Sequence, residues 1–137
     1  MDNTWRPEYS VGIDDIDDQH RHLLQLLGRV GQSAREPGGL RQLAKLIDDL
    51  HEYAAYHFGS EEHLMHGAPL PRAHLLQHIA EHRRYWREVA EMQQRLQAGD
   101  GTVATALNDF LQHWWIDHIC GIDRELGRLL LAAHKAL

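Results

Sequence analysis

Tyr53-Ala54-Ala55-Tyr56-His57-Phe58-Gly59-Ser60-Glu61-Glu62 places a histidine and a carboxylate four residues apart, at His57 and Glu61. On a helix that spacing puts both on one face, one turn apart. The face is the apolar one, because Leu43, Leu46, Ile47, Leu50, Ala54, Phe58, Leu64 and Met65 recur around it at helical spacing. An imidazole and a carboxylate buried together are costly unless both are satisfied. Hydrogen bonding to each other would do it, and so would a shared metal.

Outward from that stretch the chain reads as helices joined by breakers. A second helix runs from about Leu40 to His66 and carries the quoted segment. Before it, a first helix starts near Asp17, where acidic residues suit an N-terminus, and stops before Pro37-Gly38-Gly39. Its inner face is His20, Leu23, Leu24, Leu27 and Val30. After Gly67-Ala68-Pro69-Leu70-Pro71, a third helix spans about Arg72 to Gln97, with Leu75, His78, Ile79, His82, Trp86 and Val89 as its stripe. A fourth starts near Thr102 and turns Val103, Leu107, Phe110, Leu111, Trp114 and His118 inward. No segment alternates with period two, so the expected fold is all-α: an up-down-up-down antiparallel four-helix bundle. Residues 1–16 read as an irregular arm with docked aromatics, 17–120 as the bundle and 121–137 as a C-terminal helical tail, all within one domain spanning 1–137.

Composition narrows the class. Apolar residues make up 43% and charged residues 25% of the 137, as in ordinary globular proteins. The formal net charge is −6 with no basic run, which argues against nucleic acid and anionic membrane as partners. No apolar run approaches the roughly 20 residues that span a bilayer. Met1-Asp2-Asn3-Thr4-Trp5 lacks the pattern of a signal peptide, and Cys120 has no second cysteine to pair with, so the expected location is cytoplasmic. The abnormal count is 12 histidines.

Histidine or carboxylate residues fall on the inner face of every helix: His20, then His57 and Glu61, then His78 and His82, then His118 with Asp123 five residues on. Five residues turn an α-helix by about 500°, which leaves Asp123 about 140° away from His118. A bent helix or a long reach is needed to bring both to one centre. Nitrogen and oxygen donors without thiolate suit zinc, copper, iron or nickel. Seven donors exceed one tetrahedral zinc and match two metals bridged by two carboxylates. The Glu-x-x-His pairs of ferritin-like bundles and the His-Glu-x-x-His of zinc proteases are both absent.

Val11-Gly12-Ile13, Ile16-Asp17-Asp18-Gln19-His20, His57-Phe58 with Glu61-Glu62 and Met65, His78 and His82, and Trp114 with His118-Ile119 and Asp123 occur in an order that resembles the hemerythrins, particularly single-domain bacterial ones. The resemblance covers Trp5 to about Asp123. It implies a non-haem di-iron centre with a hydroxo or oxo bridge. His78, His82 and His118 would hold one iron, His20 and His57 the other, and Glu61 and Asp123 would bridge them. The second iron then has an open position, where the family binds dioxygen and where small anions such as azide would also bind.

The expected function is reversible dioxygen binding for transport, storage, delivery or sensing, by a binding protein and not an enzyme. A di-iron enzyme reducing nitric oxide or peroxide is the alternative, and iron storage or buffering a third reading. The ladder His74, His78, His82 leaves the register open; His78 with His82 is preferred because Tyr85 then supplies the aromatic that the family has three residues on. His22, His51, His63, His66, His113 and His134 read as surface residues, Glu62 as an outer contact and Cys120 as packing. Asp17 fits either a helix cap or a partner to the site. Trp115 stands where the family usually has leucine and should crowd the open position, whereas Gly121 should leave space there.

Overall fold

A computed structural model describes residues 3–135. Met1, Asp2, Ala136 and Leu137, the outermost parts of the expected arm and tail, lie outside the described residues. Four long helices follow one another: α1 (Asp14–Arg35), α2 (Leu40–His66), α3 (Arg72–Gln97) and α4 (Ala104–His118). A π-helical turn, Ile119–Asp123, carries the chain without a break into α5 (Arg124–Lys135). α1 packs on α2 and α4, and α3 packs on the same two, so the four close a ring. With loops of a few residues between neighbours, that ring is the antiparallel bundle of the all-α class. Among the described residues there is no strand, and no helix is long and apolar enough to cross a membrane.

The helices form where the apolar period puts them. α2 and α3 have the bounds expected from the flanking breakers. α1 begins at Asp14, three residues before the expected start, because Asp14, Asp15 and Asp17 together complement its N-terminal dipole. Asp17 neither caps the helix nor touches the histidine cluster. It clamps the arm, accepting hydrogen bonds from the Val11 amide at 2.8 Å and the Ser10 hydroxyl at 2.6 Å. The arm itself has a 3₁₀ turn at Pro7–Tyr9 and docks through buried Tyr9 and through Trp5, whose ring meets Tyr9 edge-on and carries the Arg21 guanidinium 4.4 Å from its centroid. α5 closes over the arm at Gly127, where a Cβ would collide with the Val11 carbonyl oxygen.

The core divides along the bundle. Leu27, Val30, Leu43, Ile47, Leu96, Val103 and Leu107 fill the end made by the C-termini of α1 and α3 and the N-termini of α2 and α4. Each such side chain contributes about 1.5–3 kcal/mol by leaving water. The opposite end buries polar groups instead: His20, His57, Glu61, His78, His82, His118 and Asp123 are each at most 2% exposed. The apolar half is what holds four helices in place around that polar half.

Candidate metal centre

The π turn resolves the geometry between His118 and Asp123. Its i→i+5 winding lengthens the turn by one residue, so a five-residue spacing returns to the same face. Asp123 Oδ1 lies 2.9 Å from His118 Nε2. No bend or long reach is involved; the helix is locally unwound.

All seven residues singled out from the sequence come together. Their donor atoms form two groups: Glu61, His78, His82, His118 and Asp123, and His20, His57, Glu61 and Asp123. The two carboxylates belong to both. Asp123 divides its oxygens between them. Oδ1 is 2.9 Å from His78 Nε2 and from His118 Nε2, while Oδ2 is 2.9 Å from His20 Nε2 and 3.6 Å from His57 Nε2. Glu61 meets both groups with one oxygen, Oε1, which is 3.3 Å from His82 Nε2 and 3.2 Å from His57 Nε2. His74 stays outside, its Nε2 3.1 Å from His78 Nδ1, on the far side of that ring.

The donor atoms are near one another yet poorly served by hydrogen bonds. Glu61 Oε1 and Oε2, Asp123 Oδ1 and the Nε2 atoms of His78, His82 and His118 are buried with no hydrogen-bond partner. An unpaired buried polar group costs about 1–3 kcal/mol, so five side chains left this way make sense around cations that satisfy them. Ionisation points the same way. Burial opposes charge on His57, His78, His118, Glu61 and Asp123, but these groups offset it for one another. Burial lowers the His57 pKa, yet Glu61 and Asp123 outweigh it and raise it to about 9. His118 and His78 are raised against burial by the same two carboxylates. Asp123 is held well below the usual carboxylate range, against burial, chiefly by His118. Glu61 is also held low, against burial and the like charge of Asp123, with His57 as the main counterweight. In the metal-free chain, protons hold together what a cation would hold.

Behind the cluster, three ring nitrogens meet oxygen acceptors. His57 Nδ1 faces Gln19 Oε1 at 2.7 Å, His82 Nδ1 faces Glu62 Oε2 at 2.9 Å and His118 Nδ1 faces Glu81 Oε1 at 2.9 Å. Each fixes its ring so that Nε2 points inward. The outer contact expected of Glu62 is present. Gln19 and Glu81 were missed by sequence reasoning, although each adjoins a cluster histidine in the chain, at His20 and His82.

Two expectations are corrected. His51 is not a surface residue: it is 8% exposed, with Nδ1 on Gln93 at 2.8 Å and its ring edge-on to Tyr85 and Trp86, because α3 covers that turn of α2. Gly121 leaves no space at the site. It is exposed on the outer side of the π turn, and a Cβ there would meet nothing within 4 Å. His22, His63, His66, His113 and His134 are exposed as expected, and Cys120 packs on the core as a free thiol.

An aromatic wall seals the cluster. Phe58 stacks on His82 at 4.0 Å, Trp114 stacks on His118 at 4.4 Å, and Trp115 stacks on Phe58 at 5.3 Å. Fully buried Trp115 lies 5.9 Å from the His57 ring and donates its indole N–H to the Tyr85 hydroxyl at 3.2 Å.

Fold and cluster together define a class: a helical bundle that offers metal donors from all four of its helices at one buried level. A family model described as the Hemerythrin HHE cation binding domain matches residues 11–130. The chain belongs to the hemerythrin family. It is similar to the bacteriohemerythrin of Stenotrophomonas maltophilia, 32% identical over 122 residues covering 88% of this chain and 76% of the relative. It is likewise similar to that of Methylococcus capsulatus, 28% identical over 130 residues and covering 94% and 97%. The Pseudomonas aeruginosa bacteriohemerythrin is 31% identical over 117 residues, covering 84% and 72%. Membership implies non-haem iron, and the buried donor set is able to hold it.

Proposed function

We propose that the chain holds two irons and binds dioxygen reversibly. The observation that carries this reading is the division of Asp123, which presents one oxygen to each of two histidine groups that also share Glu61. On this reading His78, His82 and His118 hold one iron, His20 and His57 the other, and Glu61 and Asp123 span both. A ferrous pair held there would supply the two electrons that dioxygen binding requires.

The chain's own residues do the rest. Gln19, Glu62 and Glu81 fix ring orientation. Phe58, Trp114 and Trp115 present an apolar wall that keeps water, and with it protons, away from the metal-facing atoms. Histidine donors are neutral, so the set adds only the two negative charges of its carboxylates.

Iron content tests the assignment. Wild-type protein should carry about two irons per chain, and Glu61→Ala or Asp123→Ala should lose a large share of them. Full loading in both variants would remove the bridging role. Sustained reduction of nitric oxide or peroxide with an electron donor, in place of a stable oxygenated form, would favour an enzyme.

A further inference from the structure

The hydrogen-bond partners behind the histidines are not distributed evenly. In the group of His78, His82 and His118, two rings are backed by carboxylates, Glu62 and Glu81, each at 2.9 Å from Nδ1. The third, His78, is backed by the neutral His74. In the group of His20 and His57 no anion stands behind either ring. His57 meets the amide oxygen of Gln19, and His20 Nδ1 is buried with no hydrogen-bond partner. We propose that this asymmetry sets the two metal positions at different reduction potentials, with the His20/His57 position the more easily reduced.

The inference rests on the two-iron reading. A carboxylate can only accept, so Nδ1 of His82 and of His118 carries the proton and Nε2 keeps its lone pair for a metal. An anionic acceptor draws that proton outward and leaves the ring a stronger donor. A stronger donor, with a negative charge behind it, favours the ferric over the ferrous ion. Glu62 and Glu81 are 35% and 30% exposed, which screens their direct field. The imidazoles that carry the effect inward are 3% and 0% exposed and are not screened. Gln19 exerts the same orienting grip with no charge. When one electron from a chemical reductant such as dithionite enters the diferric protein, it settles on the iron held by His20 and His57 and leaves the other ferric. Glu62, Glu81 and Gln19 are positioning residues in this account, acting through the rings they hold.

A redox titration of the iron-loaded protein, with the mixed-valence fraction read by Mössbauer spectroscopy on iron-57, tests it. Glu81→Gln or Glu62→Gln removes an anion from one side; Gln19→Glu adds one to the other. These are opposite changes in charge, yet each should bring the two potentials together. The comproportionation constant of the mixed-valence form should fall about tenfold in each, equivalent to about 59 mV for a one-electron step. Glu81→Asp should restore part of the separation. A structural role alone would not give the same direction from a charge lost and a charge gained. Loaded variants whose constant is unchanged, or whose two potentials shift together, would overturn the proposal. If Glu81→Gln fails to load, Glu62→Gln decides for the same side. Wild-type protein with only one iron per chain would instead refute the two-iron reading itself, and iron analysis shows that before any titration.

Discussion

Trp115 is held on every side: it stacks on Phe58, donates to Tyr85 and is fully buried beside His57. It packs the core and walls the site at once. Trp115→Leu should cost about 2–4 kcal/mol, from lost volume and a stranded Tyr85 hydroxyl, read as a lower melting temperature. With iron retained, stopped-flow azide binding to the ferric protein should quicken; an unchanged rate would mean that the indole guards nothing. The α3 ladder gives a second test. His82→Ala should lose iron, whereas His74→Ala should keep most of it, since His74 only backs His78. The reverse order of iron contents would move the ligand set by one turn. Ligand-type residues were legible in the sequence because a polar residue on an apolar stripe stands out. The roles of buried Gln19 and half-buried Glu81 were not, because a Glu or Gln in the sequence looks like any solvated neighbour until the facing helix is in place.

At the scale of the element, the decisive feature is the π turn Ile119–Asp123. Periodicity at 3.6 residues located α1 to α4, with bounds for α2 and α3 read from Gly and Pro. It could not show a local change of period, and so left Asp123 pointing away from His118. Only the demand that both reach one centre hinted at the irregularity. Inserting one alanine between Gly121 and Ile122 should swing Asp123 off the cluster and reduce iron content to that of Asp123→Ala. Gly121→Ala should leave iron content and azide kinetics unchanged, because its side chain would point into open space. Iron loss in Gly121→Ala, or full loading in the insertion, would show that the turn does not set the position of Asp123.

Across the whole molecule, the apolar half of the bundle offsets the cost of the polar half, and metal binding becomes part of folding stability. The fold class was legible because four stripes and three short loops admit few other arrangements; the clamp of Asp17 on the arm was not, since it depends on where α1 begins. Without metal, His57 titrates near 9 in place of 6.5. Its raised value contributes stability that is fully present below pH 6.5 and lost as pH rises through about 9. The lowered values of Glu61 and Asp123 act oppositely, contributing above the usual carboxylate range and failing only in acid. Metal-free protein should therefore melt at progressively lower temperature from pH 6.5 to above 9, and iron-loaded protein should not. A flat metal-free profile would contradict the coupling. The most direct test of the central claim is the ultraviolet-visible spectrum of the reduced, iron-loaded protein before dioxygen, after it and after its removal. A new visible band that appears with oxygen and disappears when oxygen is withdrawn is the predicted result. No band, or an immediate and irreversible passage to the ferric spectrum, would contradict reversible dioxygen binding.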